Sequence, residues 1–475
     1  MHTPDDARSR MLRSAAERAV HFLNDDGAVN ATVDAETLRN RFYVTLPAQG
    51  RQPEDVVDHL CSAAEGGLLR SNGGRFFAWV IGGTLPSALA ADWLTAAWDQ
   101  NAALYACSPA AAIVEEAAGA WLKELLALPQ HATFAFVTGC QMAHVTCLAA
   151  ARHALLAKHG WDVERNGLFG APRVRVISSD RRHASIDRAL RMLGFGSESL
   201  VLLEPDVDET LEPGAVEEAL AFEPQTPKIV LLQAGDINTG AFDRFDRVIP
   251  IAKRYGAWVH VDGAFGLWAA ASERYAHLTR GVDGADSWAT DGHKWLNVPF
   301  DSGYAFVADA ESHRAAMSIR APYITAHAQA RDQIDWNPEW SRRARGFATY
   351  AALLELGRDG VAATIDGSCA QVAGLVEQLE RLPNVEVLWR PLLNQGLVRF
   401  LDPRPNASDG DHDNRTEDVI ARVVDSGEGF FGATTWRGKR AMRISNVSAQ
   451  TTDGDVRRVV EAFRAALTAC ELAPA

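Results

Sequence analysis

The sequence predicts an α/β protein with a mainly parallel, doubly wound sheet flanked by helices, and a small α+β domain at the C-terminal end. From about residue 130 to 310, short apolar runs alternate with turns and amphipathic helical segments. These runs are continuously apolar rather than alternating, which indicates strands buried on both faces of a sheet. After residue 357 the pattern changes to a helix, three short strands and a closing helix, which indicates a separate α+β layer.

Seven short runs are the candidate strands of the large sheet. They are TFAFV (133–137), RVRVIS (173–178), LVLL (200–203), KIVLLQ (228–233), AWVHV (257–261), DSWAT (286–290) and GYAFV (303–307). Further helices are predicted at about 5–25, 88–99, 110–127, 340–357, 361–381 and 453–469. We therefore expect an N-terminal helical segment at 1–84, a large domain at 85–357 and a small domain at 358–475.

Composition excludes several classes of function. A chain of 475 residues is long enough for more than one core. Its net charge of −14 disfavours nucleic acid or an anionic membrane as a partner. Apolar runs stay well short of the roughly 20 residues of a membrane span, and the N-terminus lacks a signal-peptide pattern. Because the six cysteines show no metal or CxxC spacing, we expect reduced thiols, no metal site and a cytoplasmic location.

Residues of opposite charge follow two of the predicted strands. Asp262 ends the strand of AWVHVDGAFG, and a buried carboxylate there needs a cationic partner such as a pyridinium nitrogen. Lys294 follows another strand, in DSWATDGHKWLNVP, where apolar neighbours would lower its pKa and favour imine formation. The alternatives are a helix cap or turn for Asp262 and a surface loop for Lys294.

Two predicted helix N-termini also follow strands and would lie at the carboxyl edge of the sheet, near Asp262 and Lys294. His183, in SSDRRHASIDRAL, starts a helix and could stack on a ring, although a histidine there is more often a helix cap. The turn of FAFVTGCQMAH, which contains Cys140 and Gln141, joins a strand to a helix whose free amides suit a phosphate dianion. A single turn of this kind is weak evidence by itself.

Together these motifs resemble the group II decarboxylases that depend on pyridoxal 5′-phosphate (PLP), the family of the aromatic-amino-acid, glutamate and histidine decarboxylases. The resemblance covers nearly the whole chain through RFFAWV, SPA–E–WLKELLALP, AGDINTGAFD, HVDGAFG and DGHKWLNVPFDSG. It implies the aspartate aminotransferase-like fold, a homodimer with shared sites, and decarboxylation of an amino acid through a lysine Schiff base.

The resemblance also assigns roles to individual residues. Lys294 would form the Schiff base, Asp262 would pair with the ring nitrogen, and His183 and Ala264 would pack on opposite ring faces. The remaining cofactor-binding positions are Cys140, Gln141, His293 and Asp236. Cys140 and Gln141 depart from the family's small or hydroxyl residues, and Asp236 stands where the family has Thr or Asn.

Substrate contacts are also implied by the resemblance. Tyr323 stands 29 residues after the lysine, where family members carry a mobile-loop tyrosine that helps to protonate Cα. Its alternative is a tyrosine that anchors a surface loop. The candidate pocket residues are Trp79, Val80, Ile81 and Gly82, together with Asn101 and Ala103 at a partner's site. Arg443 is a candidate carboxylate clamp, or else part of a domain-interface salt bridge.

Three hypotheses therefore stand. The first is decarboxylation of an L-amino acid with an aromatic or other hydrophobic side chain to the amine and CO2. The second is an enzyme of the same fold with other chemistry, namely an aminotransferase, a C–C lyase or an oxidative aldehyde synthase. The third is a relative without catalysis that acts as a binding or scaffold protein, against which Lys294, Asp262 and His183 speak.

Overall fold

The large sheet of the computed structural model, which describes residues 7–319 and 330–472, contains seven strands. They are β1 (Thr133–Val137), β2 (Arg175–Ser179), β3 (Leu200–Leu203), β4 (Lys228–Gln233), β5 (Trp258–Asp262), β6 (Ser287–Asp291) and β7 (Gly303–Val307). Their order is β1-β7-β6-β5-β4-β2-β3, and only β7 runs antiparallel to its neighbours. The predicted parallel sheet is confirmed.

Helices cover both faces of this sheet and form the N-terminal region. They are α1 (Ala7–Asn24), α2 (Ala35–Phe42), α3 (Pro53–Ala64), α4 (Pro86–Trp98), α5 (Pro109–Leu125), α6 (Cys140–Lys158), α7 (Val163–Asn166), α8 (Ala184–Met192), α9 (Pro213–Ala221), α10 (Phe245–Arg254) and α11 (Ala310–Met317). Alternate residues of β4 enter two different cores: Ile229 and Leu231 face α6, whereas Val230 and Leu232 face the opposite layer. Burial on both faces explains the continuous apolar runs.

The C-terminal region is a second, four-stranded antiparallel sheet with helices on one side. Its elements are α12 (Gly346–Glu380), β8 (Val385–Trp389), β9 (Gln395–Phe400), α13 (Asp409–Asp425), β10 (Gly432–Trp436), β11 (Lys439–Ser445) and α14 (Asp453–Leu472). The strand order is β10-β11-β9-β8. Gly357 interrupts α12 with a φ of 59°, at the predicted boundary between the domains. The three-part division itself stays a prediction.

The stretch just before α4 joins the C-terminal region rather than the N-terminal helices. Phe77 lies in the apolar core of the small domain, and its amide donates to the carbonyl of Phe430 at 2.9 Å. Its own carbonyl accepts the amide of Ser445, the last residue of β11, also at 2.9 Å. This pairing carries the following residues towards the edge where β5 and β6 end. Among the described residues, no helix combines the length and apolarity needed to cross a bilayer.

Candidate active site

Lys294 lies just beyond the carboxyl end of β6, in the turn that leads to β7. Its Nζ is 3.0 Å from Oδ2 of Asp291, the last residue of β6, and only 18% of its side chain is exposed. Burial is the largest single effect and opposes the positive charge, but Asp291, together with Cys140 and Asp262, outweighs it and raises the pKa of Lys294. The prediction that apolar surroundings lower this pKa is therefore wrong, because the sequence pattern gave no weight to the neighbouring acid.

Asp262 ends β5 and is 9% exposed. Its Oδ1 accepts the amide of Ala264 at 3.1 Å, and its Oδ2 lies 3.5 Å from Nε2 of His144 on α6. Burial opposes ionisation of this carboxyl, yet His144, and after it His183 and Lys294, hold the pKa of Asp262 well below its usual range. The site therefore contains a carboxylate that stays ionised and can hold a cationic ring nitrogen.

A histidine pair behind Asp262 was missed by the sequence analysis. His144 Nδ1 lies 3.0 Å from Nε2 of His260, and Nδ1 of His260 lies 2.9 Å from the hydroxyl of Ser287. Burial lowers the pKa of His260 to about 3, so that ring is neutral at physiological pH. Nε2 of His144 is buried and has no hydrogen-bond partner among the described residues. Through His144 the pair stabilises the ionised form of Asp262. A histidine within an apolar helical segment gives no sequence pattern that predicts this contact.

His183 is the N-cap of α8, so the cap alternative holds for its imidazole. Nδ1 lies 2.7 Å from the hydroxyl of Ser185 and accepts the Ser185 amide at 3.2 Å. Burial lowers the pKa of His183, and the ring interacts electrostatically with Asp262 and Lys294. The helix cap therefore holds a neutral imidazole near Asp262 and Lys294. Stacking of this imidazole on the cofactor stays a prediction.

The turn before α6 also reaches this edge. The amide of Cys140 donates to Oδ1 of Asp291 at 2.7 Å, and burial raises the pKa of its thiol well above the usual value. The side chain of Gln141 donates to the carbonyl of Ser185 at 3.1 Å, which ties the start of α6 to α8. His293 lies 3.5 Å from Asp291, and burial lowers the pKa of its imidazole.

Asp236 lies in the loop after β4, and it closes a turn. Its Oδ1 accepts the amides of Asn238 and Thr239 at 2.9 and 2.8 Å, together with the Thr239 hydroxyl at 2.8 Å. Its Oδ2 is buried without a hydrogen-bond partner in the described chain. The turn explains why an acid is tolerated here, and the free oxygen leaves its predicted role towards the cofactor open.

The segment from Trp79 to Gly82 packs directly against the lysine turn. A Cβ added to Gly82 would meet the carbonyl oxygen of Lys294 at 2.2 Å, so only glycine allows this approach. Trp79 and Val80 both have positive φ values, of 58° and 57°, and the amide of Val80 donates to the Ser445 hydroxyl at 3.2 Å. Ile81 is half-buried between them and Gly82. The predicted pocket segment therefore lies beside Lys294.

Asn101 and Ala103 are structural in the described chain. Oδ1 of Asn101 accepts the amides of Ala103 and Arg342, and the carbonyl of Ala103 accepts the amide of Ile334 at 2.9 Å. These bonds hold the stretch that follows residue 329 against the loop after α4. A contribution of the two residues to a partner's pocket stays a prediction, and Tyr323 lies outside the described residues.

Arg443 is half-buried on β11, opposite Gly432 of β10. Within the described ranges its guanidinium makes no hydrogen bond and no ion pair within 4 Å, although Asp236 acts on its charge. Burial lowers the pKa of the guanidinium. The alternative of a domain-interface salt bridge is therefore not observed, and the donors of Arg443 remain available to an anion.

These residues fit PLP at its ring end. An ionised carboxylate, a neutral imidazole and a buried lysine amine meet at one edge of the sheet, and Nε2 of His144 faces the carboxylate from behind at 3.5 Å. At the phosphate end, a Cβ on Gly139 would meet His293 at 3.1 Å and Asp291 at 3.3 Å, so these two side chains pack directly against the turn before α6. The Cys140 amide of this turn already donates to the Asp291 carboxylate.

Comparisons with known proteins agree with this geometry. Residues 37–401 match the model of the pyridoxal-dependent decarboxylase conserved domain. The chain is 24% identical over 444 residues to an aromatic-L-amino-acid decarboxylase of Bacillus atrophaeus, covering 92% of this chain and 90% of that protein. It is 26% identical over 384 residues to an L-2,4-diaminobutyrate decarboxylase of Rhizobium meliloti, covering 79% and 74%.

A solved structure extends the likeness to the fold. The crystal structure of Oryza sativa TDC with PLP and tryptamine superposes with a TM-score of 0.90 at 22% identity, over 99% of this chain and 100% of that one. The family match spans more than half of the chain, and it includes the strands that carry Asp262 and Asp291. The chain belongs to the family of pyridoxal-dependent decarboxylases, enzymes that use PLP.

Proposed function

We propose that the chain decarboxylates an L-amino acid with an aromatic or other hydrophobic side chain, releasing the amine and CO2. The observation that carries the proposal is the burial of Lys294 and Asp262 at one sheet edge, with the segment from Trp79 to Gly82 packed on the lysine turn. PLP, when bound, supplies an electron sink for the pair left by the broken carbon–carboxylate bond.

The residues of the chain prepare that chemistry through charge and position. Asp262 remains ionised and keeps a ring nitrogen protonated, which increases the electron demand at the reacting carbon. Lys294 would supply the amine that holds the cofactor. Trp295 and Leu296, which follow the lysine, are at most 2% exposed and anchor its turn in the core.

Arg443 is the proposed partner of the substrate carboxylate. Its guanidinium is available within the described chain, and a guanidinium matches a carboxylate with two parallel hydrogen bonds. An ion pair with the group that leaves stabilises the bound substrate more than the transition state. The proposed role is therefore binding and orientation, with Tyr323 as the proposed proton donor to Cα.

The preference for an aromatic or hydrophobic side chain follows from the surface around Trp79. Its ring lies 5.7 Å from the ring of Phe76 and 5.2 Å from that of Phe430, and half of the indole is exposed. Phe300 adds another exposed ring, 4.4 Å from the imidazole of His293. Aromatic surfaces of this kind select ring or branched apolar side chains.

A panel of L-amino acids tests the proposal. Purified protein loaded with PLP is incubated with aromatic, aliphatic, acidic and basic amino acids, and CO2 and the mass of the product are scored. We expect an amine and one CO2 per substrate, fastest with an aromatic amino acid, and no product with Lys294→Ala. A keto acid, or an aldehyde with ammonia and peroxide, would establish the other chemistries of this fold instead. Release of CO2 from acidic amino acids alone would overturn the proposed side-chain preference.

We further propose that the chain forms a homodimer. On α4, Trp93, Leu94 and Trp98 are each more than 40% exposed, and α1 has no buried residue in the described chain. Apolar helical faces of this extent favour association with a second copy. Sedimentation equilibrium should give twice the chain mass of 51.6 kDa, and Trp98→Glu should shift the equilibrium towards the monomer. A monomer at micromolar concentration would refute the proposal.

A further inference from the structure

Three side chains of metal-binding type meet at the carboxyl end of β5. Cys140 and His144 stand four residues apart at the start of α6, so they share one face of that helix. Asp262 ends β5, which packs against α6. The sulfur, an imidazole nitrogen and a carboxylate oxygen of these residues lie within 4.8 Å of one another, and each residue is at least nine-tenths buried. The expectation of no metal site considered cysteine spacing, which does not reveal donors from separate elements.

The Nε2 atom of His144 is a donor that the described chain leaves unused. It is fully buried, makes no hydrogen bond there and faces Oδ2 of Asp262 at 3.5 Å. Buried polar atoms in folded proteins almost always have a hydrogen-bond partner, because leaving one without a partner costs free energy. An atom of this kind, directed at a carboxylate oxygen and a thiol, therefore indicates a ligand between them.

A tetrahedral zinc ion fits the three donors. Zinc bonds to nitrogen and oxygen of about 2.0–2.2 Å place two ligands of a tetrahedron roughly 3.3–3.6 Å apart, and the distance from His144 Nε2 to Asp262 Oδ2 is 3.5 Å. A zinc-bound sulfur stands about 3.5 Å from its neighbouring ligands, so the Cys140 thiol, which lies within 4.8 Å of both atoms, has to move by roughly 1 Å at most. A thiolate with an imidazole selects zinc over magnesium or calcium, which prefer oxygen ligands.

The neighbours of these donors hold them in a suitable orientation. Nδ1 of His144 lies 3.0 Å from Nε2 of His260, so the ring nitrogen that faces away from the ion has the hydrogen-bond partner that metal-binding histidines usually have. Oδ1 of Asp262 accepts the amide of Ala264 at 3.1 Å, which fixes the carboxylate and leaves Oδ2 for the ion. The site therefore has both its ligands and the contacts that orient them.

We propose that the protein without PLP binds a Zn²⁺ ion through Cys140, His144 and Asp262, and that this ion and PLP exclude each other. The Cys140 thiol forms a bond to zinc and releases its proton to solvent, so a thiolate and a carboxylate balance the two charges of the ion. The ion occupies the carboxylate oxygen that a protonated ring nitrogen of PLP would need. Lys294, a cation of the same edge, is paired with Asp291 at 3.0 Å. The inference rests on the use of PLP and is independent of which amino acid is the substrate.

Zinc binding to the full-length protein freed of PLP is the first test. In equilibrium dialysis we expect one Zn²⁺ per chain, bound roughly 100-fold more weakly by Cys140→Ala, since changes to outer-shell partners alone cost about 10- to 100-fold. Cys147→Ala is the matched control, because Cys147 is a fully buried thiol of the same helix that donates to the carbonyl of Trp288 at 3.5 Å. It should bind zinc as the wild type does. Co²⁺ in place of zinc should give the charge-transfer absorbance of a thiolate ligand in the wild type and the control, and not in Cys140→Ala.

Competition between zinc and the cofactor is the second test. With free Zn²⁺ at ten times its own Kd, the apparent Kd of the wild type for PLP should rise about tenfold, the factor that mass action gives for a competitor. A chelator should reverse the change. In Cys140→Ala the same zinc concentration should leave the apparent Kd for PLP unchanged, whatever its value without zinc. The holoenzyme should give no thiolate absorbance with Co²⁺.

The wild type alone can refute the inference, even if Cys140→Ala does not fold. A protein that binds no stoichiometric zinc, shows no thiolate absorbance with Co²⁺, or binds PLP equally well in zinc overturns it, as does equal zinc affinity of Cys140→Ala and Cys147→Ala. Failure of the proposed function has a different signature. A protein that exchanges zinc for PLP but releases no CO2 from any amino acid keeps this inference and loses the decarboxylation.

Discussion

The role of Arg443 can be isolated by Arg443→Met. Methionine keeps much of the length and apolar character of the arginine stem, while the charge and all five donors are lost. Within the described chain the guanidinium makes no hydrogen bond and no ion pair within 4 Å, although it feels the charge of Asp236, and Gly432, its neighbour across the sheet, has no side chain to disturb. The substitution should therefore change substrate binding with little change in the fold.

The expected magnitude follows from the bonds that are removed. Hydrogen bonds to a charged group contribute about 1.5–3 kcal/mol, which corresponds to roughly 10- to 150-fold in affinity. Because the carboxylate loses its charge as CO2 leaves, the lost interaction belongs to the bound substrate rather than to the transition state. We therefore expect KM to rise by about 10- to 100-fold and kcat to rise as well, so that kcat/KM falls by less than KM rises.

The assay is the rate of amine formation against substrate concentration, with PLP at saturation. Arg440→Met is the matched control, because Arg440 lies on the same strand and pairs with Glu417 at 2.7 Å at the surface. It should leave both KM and kcat within about twofold, as expected for an exposed ion pair. A KM for Arg443→Met within twofold of the control, or a loss that falls entirely on kcat, would refute the binding role.

Three further predictions follow from individual residues. Tyr323→Phe should lower amine formation and raise oxygen-dependent aldehyde formation, measured with an oxygen electrode and product mass; unchanged product ratios would exclude Tyr323 as the proton donor. Burial lowers the pKa of His313 to about 3, so between this value and about 6.5 the unfolded chain binds a proton that the folded chain does not, and stability falls as the pH drops. From pH 7 to pH 5 this residue should account for about 2 kcal/mol, which His313→Gln removes; an identical pH dependence of the urea midpoint in the variant would contradict this. Glu115→Gln leaves the fully buried Arg342, its partner at 2.7 Å, without a counter-charge and should cost about 3–5 kcal/mol in urea unfolding. Glu124→Gln, on the same helix in an exposed pair with Arg358, should cost at most about 1 kcal/mol, and equal losses would argue against the burial effect.

The strands of the large sheet were predictable because burial on both faces leaves a continuous apolar run. The predicted runs and the observed strands differ by at most two residues at an end, as for 257–261 against Trp258–Asp262. The run DSWAT ends at residue 290, whereas β6 ends at Asp291. The rule that singled out Asp262, an acid at the tip of a buried strand, applies equally to Asp291, which follows DSWAT directly as Asp262 follows AWVHV.

Other parts of the site depend on contacts that a local pattern does not contain. His144 meets His260, which is 116 positions later in the sequence, and Val80 meets Ser445, which is 365 positions later. Neither contact produces a periodicity or a motif. The direction of the Lys294 pKa shift was mispredicted for the same reason. An apolar sequence context predicts that desolvation lowers the pKa, but it does not contain the ion pair with Asp291 at 3.0 Å, which raises it.

Three acids, Asp236, Asp262 and Asp291, are buried together at this edge of the sheet because each is stabilised by different neighbours. Asp262 faces the ring end, where a protonated nitrogen neutralises it, and His144 supports it from behind. Asp236 is largely satisfied by its own turn and leaves one oxygen near the charge of Arg443. Asp291 is held by the Cys140 amide at 2.7 Å and by the Lys294 ammonium at 3.0 Å.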